Sequence, residues 1–391
     1  MGKYNFDKVI DRRTSWAEKW DVRDGELPMW IADMDFETAP EIKEALLSRL
    51  EVGAYGYTYL PEEWYDAYIS WWERRHHLKI AKEELIFSTG VIPTISSSVR
   101  KLTTPNENVV ILTPVYNIFY NCIINNGARV LESRLFKKDG KWEIDFEDLE
   151  RKLADPQTSL FLFCNPHNPV GRIWTEEELG RIGELCHRYG VTVLSDEIHC
   201  DITDPGKEYV PFASASELCR KISITAIAPS KAFNLAGIAT SAVYVPDAFL
   251  RHKVWRQLNT DECGEPSFLA VTAAIAAFTK GEEWLKELNA YIYANKCYCE
   301  DFIAKNIPDA ELLHAQATYL IWLDCTRIAN ESVDLADFIR EKTGLYLARG
   351  EQYGPGGEGF LRINLACPKS YVTDGMERLK TGLKMYQEIA R

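Results

Sequence analysis

The sequence predicts an α/β protein: a mostly parallel sheet with helices on both faces, joined to a smaller α+β domain made from both chain ends. The first observation is that short apolar runs alternate with stretches of helical period, as in proteins built from strand–helix–strand units. The second is that these runs contain few polar residues, which is typical of parallel strands buried on both faces. The runs that we take as strands are 85–88, 109–113, 159–165, 192–198, 222–227 and 241–245.

The helices between these strands follow from their periodicity and from their end signals. Amphipathic stretches cover 117–126, 145–154 and 175–189, each between two predicted strands. Thr175 followed by Glu178 is a capping box, and a glycine directly after the last stretch suits the end of a helix. Strands that are joined by helices in this way cross over the sheet and run parallel.

The C-terminal part has longer helices and fewer strands, which indicates a second domain of α+β type. The helices that we predict there are 266–279, 283–306, 333–343 and 370–388, and the strands are 318–324 and 360–366. The first forty or so residues show no strong period and include several aromatic side chains. We therefore predict a large domain over 45–285 and a small domain formed by 1–44 together with 286–391.

The composition is that of a globular protein. The chain has 391 residues, of which 46% are hydrophobic and 26% are charged, so it is not a disordered polymer. Its 45 Lys and Arg against 58 Asp and Glu give a net charge of −13, which argues against nucleic acid as a partner. The 10 cysteines include no C-x-x-C pair, so no metal site or disulfide framework is predicted.

Two further features of the sequence bear on location. The N-terminus has no apolar leader, and the longest apolar stretch, 269–278, is too short to cross a bilayer. We therefore expect a cytoplasmic protein without a membrane partner.

Ligands of an open α/β sheet bind beyond the carboxyl ends of its strands, so the loops after the predicted strands are the candidate site. Gly90, Val91 and Ile92 follow the first strand and lead into a helix, whose N–H groups suit a phosphate. A plain turn explains the same residues equally well. Tyr116 follows the second strand, where its ring either stacks on a flat ligand or packs in the core.

Polar residues follow the next three strands. Asn168, in a turn with two Asn-Pro pairs, either donates to a ligand oxygen or only belongs to a tight connection. Asp196 and Glu197 end a buried strand, where a carboxylate is costly unless it pairs with a cation or holds a ligand. Lys231 also follows a buried strand; a desolvated lysine attacks carbonyl groups, whereas most lysines are solvated surface residues.

These residues together match one cofactor. A phosphate-binding turn, an aromatic ring, an amide, an acid and a lysine occur in that order, each after a predicted strand. Pyridoxal 5′-phosphate has a phosphate, a flat ring, a phenolic oxygen, a ring nitrogen that needs an anionic partner, and an aldehyde that a lysine captures. The set therefore predicts a pyridoxal-phosphate enzyme.

Over essentially its whole length the chain resembles the fold-type I pyridoxal-phosphate enzymes of the class I/II aminotransferase family. The residues that carry this resemblance are 168–171, 195–197, 230–231 and Arg362. Within the family, the chain is similar to the MalY/PatB type of cystathionine β-lyase, a group of cysteine C–S lyases. The stretches that carry this closer similarity are 6–13, 30–36, 55–57, 113–120, 195–199, 228–237 and 362–364.

The resemblance implies which residues act in catalysis. It implies that Lys231 captures the cofactor aldehyde and then moves the substrate Cα proton. It implies that Asp196 pairs with the ring nitrogen, and that Tyr116 stacks on the ring and handles protons. Asn168 would donate to the phenolic oxygen and lie beside the substrate.

The resemblance also implies how phosphate and substrate are bound. The residues expected at the phosphate are Gly90, Val91, Ile92, Ser230 and, across a homodimer, Tyr57 of the partner subunit. Arg362 is expected to bind the substrate carboxylate through two parallel hydrogen bonds, with the backbone of Ala32 closing over it. His199 stands where many members have a tyrosine that contacts the cofactor. Ala228 and Ala239 stand where serine and arginine are common, so side-chain anchoring of the phosphate departs from the pattern.

The reaction itself is not fixed by these residues, because one lysine serves both elimination and amino transfer. The closer similarity favours β-elimination from L-cystathionine or related L-cysteine S-conjugates to thiol, pyruvate and ammonia. An aminotransferase for aromatic or neutral amino acids is the alternative. A protein that mainly binds a regulatory partner, with secondary catalysis, is a third. The resemblance implies that a second arginine, needed for a dicarboxylate substrate, would come from the partner subunit near the loop 259–265. Because that loop is acidic here, a dicarboxylate substrate is disfavoured, and one with a distal ammonium group is expected.

Overall fold

The computed structural model of the chain describes residues 2–390. Its strands are β1 Leu27–Pro28, β2 Leu85–Ser88, β3 Asn108–Thr113, β4 Arg129–Arg134, β5 Phe136–Lys138, β6 Lys141–Glu143, β7 Thr158–Cys164, β8 Thr192–Asp196, β9 Ser223–Ile227, β10 Ser241–Tyr244, β11 Glu311–Leu312, β12 Leu320–Asp324, β13 Leu345–Tyr346, β14 Ala348–Arg349 and β15 Phe360–Asn364. Its helices are α1 Pro40–Glu51, α2 Glu62–His76, α3 Val91–Leu102, α4 Ile118–Ile124, α5 Phe146–Leu153, α6 Glu176–Tyr189, α7 Glu217–Ile222, α8 Ala248–Thr260, α9 Ala270–Lys280, α10 Glu282–Asn306, α11 Ser332–Thr343 and α12 Lys369–Ala390.

The main sheet of the described chain has seven strands in the order β2-β10-β9-β8-β7-β3-β4. Its neighbours are parallel from β9 to β4, and β10 runs antiparallel to both β2 and β9. The predicted α/β class with a mostly parallel sheet is therefore confirmed. The central strands β7, β8 and β9 are buried almost throughout, which explains why they read as continuous apolar runs.

The helix signals in the sequence are confirmed at α6. The Thr175 hydroxyl accepts from the Glu178 backbone N–H at 3.2 Å, and the Glu178 carboxylate accepts from the Thr175 N–H at 2.8 Å. Gly190 ends the helix at a φ of 71°, which a residue without a side chain adopts freely. One predicted start is wrong: residues 266–269 precede the helix, the Ala270 N–H closes a turn by donating to the Ser267 carbonyl, and α9 begins only at Ala270.

A second sheet, β11-β12-β15-β14, is antiparallel and packs with α10, α11 and α12 around its own apolar core. The N-terminal region joins it, because β1 pairs with β13 and places Leu27 beside Leu345. The domain limits at 45 and 285 stay a prediction, and α10 runs across the second of them. No helix within residues 2–390 is long and apolar enough to span a membrane.

The fold brings three parts of the chain to one place. The carboxyl ends of the parallel strands β3, β7, β8 and β9 meet at one edge of the main sheet. The residues 30–36, which we call the covering loop, lie over this edge. The strand β15 carries Arg362 to it from the second sheet.

Candidate active site

A cavity of about 270 Å³ lies at this edge of the main sheet. It contains most of the residues that the sequence singles out. Those that line it are Ala32, Gly90, Val91, Ile92, Tyr116, Asn168, Asp196, His199, Ser230 and Lys231. The parallel strands account for this grouping, since each of them delivers its next residues to the same edge.

Lys231 lies at the base of the cavity, and its Nζ donates to the Ala32 carbonyl at 2.6 Å. Desolvation lowers the pKa of Lys231 to about 8; the nearby Arg362 also lowers it, while Asp33 and Asp196 oppose the shift. About a tenth to a fifth of this amine is therefore neutral near physiological pH, far more than for an ordinary lysine, and the neutral amine is the form that attacks a carbonyl carbon.

Asp196 ends β8 and is 4% exposed. Its carboxylate accepts from the Ile198 backbone N–H at 3.2 Å, and burial raises its pKa to about 7. A cation placed beside it would lower that pKa and favour the ionised form. The residue is thus prepared to hold a protonated ring nitrogen.

The side chain of Glu197, the next residue along the chain, lies in a different environment from that of Asp196. The Glu197 side chain accepts from the Ser195 hydroxyl at 2.7 Å, from the Phe212 N–H at 2.9 Å and from the Tyr209 hydroxyl. Burial raises the pKa of Glu197 to about 8. It therefore links the loop after β8 to the segment around residue 212, and it does not line the cavity.

Asn168 and Arg362 are in direct contact. The guanidinium Nη1 donates to the Asn168 side-chain oxygen at 3.2 Å, and Nη2 donates to the Trp30 carbonyl at 2.9 Å. Arg362 is 4% exposed, and its Nε has no hydrogen-bond partner within the described chain. A buried guanidinium with a free donor is suited to a carboxylate ligand.

Tyr116 and His199 are both expected to stay neutral. Burial raises the pKa of Tyr116 to about 12, so its hydroxyl keeps its proton at working pH. Burial, together with the nearby Lys231 and Arg362, lowers the pKa of His199 to about 3. The His199 Nδ1 is buried and, across residues 2–390, has no hydrogen-bond partner.

The turn after β2 forms the start of a helix, as its residues suggest. Gly90 is the residue before α3, and its carbonyl accepts from the Thr94 hydroxyl at 3.0 Å and the Ser88 hydroxyl at 3.1 Å. The first N–H groups of α3 have no partner inside the helix. Val91 and Ile92, the first residues of α3, line the cavity, which makes this end a suitable anion site.

The covering loop is held by charged and amide side chains. The Asp35 carboxylate accepts from Lys19 Nζ at 2.6 Å and from the Trp20 ring N–H at 2.7 Å. The Asn364 amide donates to the backbone carbonyls of Ile31 and Asp33 at 2.6 and 2.7 Å. These contacts fix the backbone on which Ala32 meets Lys231.

Two predicted residues lie outside the cavity lining. Arg362 touches the site only through Asn168 and the covering loop. Tyr57 lies in an exposed stretch after α1 and is fully exposed in the single chain. In the predicted acidic loop, Asp261 is occupied, because it accepts from Ser97 at 2.7 Å and from Arg100 at 2.6 Å. That side chain is therefore not free to hold a substrate ammonium group.

Two residues of the site were missed in the sequence. Tyr319 is 1% exposed and its hydroxyl donates at 3.0 Å to the same Ala32 carbonyl that Lys231 contacts. Thr240 lines the cavity directly before β10. Thr240 directly precedes a buried strand and follows Ala239, which stands where an arginine is common in the family. This position could have indicated a residue of the site. Nothing in the sequence connects Tyr319 with a residue so far away along the chain.

Comparison with known proteins places the chain in a family. The family model described as aminotransferase class I and II matches residues 28–379. Cystathionine β-lyase PatB from Bacillus subtilis is 43% identical over 386 residues, which cover 97% of this chain and 100% of that protein. The chain therefore belongs to the class I and II aminotransferase family.

Solved structures agree in fold over nearly the whole length. Cystalysin from Treponema denticola, which contains pyridoxal 5′-phosphate, superposes with a TM-score of 0.94 at 33% identity and covers 98% of this chain and 99% of its own. The pyridoxal-phosphate-bound C–S lyase from Staphylococcus hominis gives a TM-score of 0.91 at 34% identity, covering 97% and 98%. The predicted family and fold are thus confirmed.

Proposed function

We propose that this protein is a pyridoxal-phosphate-dependent C–S lyase that cleaves L-cystathionine or related L-cysteine S-conjugates to thiol, pyruvate and ammonia. The observation that carries the proposal is that Lys231 and Asp196 line one cavity at the sheet edge, with Arg362 bound to Asn168 of the same lining. The relatives named cystathionine β-lyase and C–S lyase support the choice of reaction.

The residues of the cavity fit the cofactor. Its wall offers a helix N-terminus for a phosphate, the half-buried ring of Tyr116 for stacking and the Asp196 carboxylate for a ring nitrogen. Because Arg362 binds the Asn168 side-chain oxygen, the Asn168 amide nitrogen is left to donate to a phenolic oxygen. When bound, pyridoxal phosphate supplies an aldehyde for amines and a ring that withdraws electrons from the substrate Cα.

Each protein group then has a defined task. Arg362 holds the substrate carboxylate, so that the substrate amine and Cα lie towards Lys231. The neutral Lys231 amine accepts the Cα proton, a task for which a pKa of about 8 suits it. Departure of the thiolate from Cβ follows loss of this proton. Because its pKa is about 12, Tyr116 keeps its proton at working pH and acts as a hydrogen-bond donor and not as a base.

We also infer that the protein is a homodimer in which Tyr57 completes the site of the partner subunit. The stretch from Val52 to Tyr59 exposes several large apolar side chains, and Tyr55 and Tyr59 are 59% and 81% exposed. Large exposed apolar patches mark interaction sites. The cavity wall at Ala236 and Ala239 is also exposed in the single chain, so a second subunit would close it.

Mixed dimers test this arrangement. Tyr57→Ala and Lys231→Ala chains are each expected to be nearly inactive alone, because each lacks one part of every site. Random mixing leaves half of the dimers as hybrids with one complete site, so about a quarter of the wild-type activity returns if Tyr57 acts across the interface. No recovery in the mixture would show that Tyr57 acts within its own chain or not at all.

A substrate panel tests the reaction. The purified protein, supplied with pyridoxal phosphate, is expected to cleave L-cystathionine and S-methyl-L-cysteine. It is not expected to transfer the amino group of phenylalanine or alanine to an added keto acid. Amino transfer from these amino acids at rates above thiol release would favour an aminotransferase instead.

A further inference from the structure

Thr240 occupies a defined place beside the start of α3. The strand β10 pairs antiparallel with β2, with Ser241 opposite Ser88. Continuing this register places Thr240 opposite Thr89, the residue before Gly90. Thr240 and Gly90 both line the cavity.

The Thr240 hydroxyl has no acceptor for its proton among the residues that the structure describes. The residue is 2% exposed, and its Oγ1 donates no hydrogen bond within residues 2–390. The buried Tyr68 hydroxyl adjoins it as a donor to the Thr240 oxygen, and in the described part of the chain it has no other partner. Buried hydroxyl groups in native proteins are nearly always hydrogen-bonded, so the Thr240 proton, left without an acceptor beside a cavity, indicates that a ligand belongs there.

The chemistry of this end of the cavity favours an anion. Among the described residues that line the cavity, Lys231 is the only cation, and it is occupied by the Ala32 carbonyl at the base. The start of α3 offers backbone N–H groups and a positive dipole end. A phosphate here would therefore be bound by neutral donors, and each hydroxyl group would contribute a larger share of its binding free energy.

We propose that the Thr240 hydroxyl donates to the phosphate of the bound cofactor and anchors it together with the start of α3. Tyr68 is the donor that satisfies the Thr240 oxygen, because burial holds the pKa of Tyr68 well above its usual range and keeps it protonated. The proposal rests on the cofactor assignment under the proposed function, which it extends to a residue outside the predicted set.

Binding measurements test the proposal without any assay of activity. The affinity of cofactor-free protein for pyridoxal 5′-phosphate and for pyridoxal, which lacks the phosphate, is measured by visible absorbance. Thr240→Val removes the hydroxyl and keeps the shape. Loss of one hydrogen bond to a charged group is expected to weaken pyridoxal phosphate binding by about tenfold or more. Pyridoxal binding is expected to stay unchanged.

Matched variants separate a phosphate contact from an effect on packing. Thr225→Val is the control, since Thr225 is 1% exposed, also has a hydroxyl that donates no hydrogen bond in the described chain, and lies on β9 outside the cavity lining. Thr240→Ser should bind the cofactor nearly as wild type does. If Thr240→Val does not fold, Thr240→Ala removes the same hydroxyl without adding bulk.

The outcomes are distinct. Unchanged cofactor affinity in the variant without the Thr240 hydroxyl overturns the proposal. Equal loss of affinity for pyridoxal and pyridoxal phosphate also overturns it, because the residue would then act through shape. Wild-type protein that binds neither compound would instead contradict the proposed function.

Discussion

The Arg362 guanidinium donates to the side-chain oxygen of Asn168 over 3.2 Å, so one residue orients the other. The Asn168 amide oxygen accepts from the arginine, so the amide nitrogen is left to donate to a different acceptor. A carboxylate bound by Arg362 would thus lie beside the group proposed to hold the phenolic oxygen. Substrate and cofactor recognition are joined in this contact.

Replacement of Arg362 by lysine is expected to raise KM for an L-cysteine S-conjugate. Lysine lacks the planar fork that forms two parallel hydrogen bonds to one carboxylate. Loss of one or two hydrogen bonds to a charged group predicts an increase of about ten- to a hundredfold. Steady-state kinetics measure it, with Arg134→Lys as control, because Arg134 is 65% exposed and lies 3.9 Å from Glu358. An unchanged KM in Arg362→Lys would refute the assignment.

The two adjacent acids at the end of β8 are expected to differ in function. Asp196→Asn removes the charge proposed to hold the ring nitrogen, and kcat is expected to fall by about 10²–10³-fold. Glu197→Gln is the matched control. With a pKa of about 8, Glu197 is mostly protonated at neutral pH, so an amide resembles its natural state. Comparable loss of kcat in both variants would show that the charge of Asp196 has no special role in the reaction.

The rate at which cofactor-free protein captures pyridoxal phosphate is expected to depend on Lys231. Only the neutral amine reacts, and its fraction rises with pH until the pKa is passed. With a pKa of about 8, the rate should rise from pH 6 and level off above about pH 9. Stopped-flow absorbance measures this profile. A rate that still rises beyond pH 10 would indicate a lysine with an ordinary pKa.

The covering loop is expected to contribute strongly to stability through Asp35. Asp35→Ala leaves the fully buried Lys19 without its counter-ion, which predicts a loss of about 3–5 kcal/mol in the free energy of unfolding. Glu37→Ala is the control directly after the loop, since Glu37 and its partner Lys8 are 47% and 54% exposed, and such pairs contribute about 0–1 kcal/mol. Urea unfolding of both variants measures the difference. Equal losses would mean that Asp35 has no special place in holding the loop.

The sequence was most informative where the site is built from strand ends. Asn168, Asp196 and Lys231 each follow a buried parallel strand, and parallel strands deliver such residues to one edge. Burial makes these strands apolar throughout, so their positions and ends are visible without a structure. The half-exposed edge strand β4 has no such run and was missed.

Contacts between distant segments could not be predicted. Lys231 and Ala32 are 199 residues apart, and the first forty or so residues have no period that would indicate where they lie. In the sequence, Tyr319 is one apolar residue among others directly before β12, and only the fold brings its hydroxyl to Ala32. The helix α2 was also missed, although its buried residues recur at helical spacing, at Trp64, Ala67, Tyr68, Trp71 and Trp72.

The most direct test of the central claim is the release of pyruvate from L-cystathionine with no keto acid present. Purified protein loaded with pyridoxal phosphate is expected to form pyruvate and free thiol in equal amounts over many turnovers. Lys231→Ala should lose this activity by about 10²–10⁴-fold or more, since it lacks the proton-transferring amine. Turnover that stops without an added keto acid, or that persists in Lys231→Ala, would contradict the account.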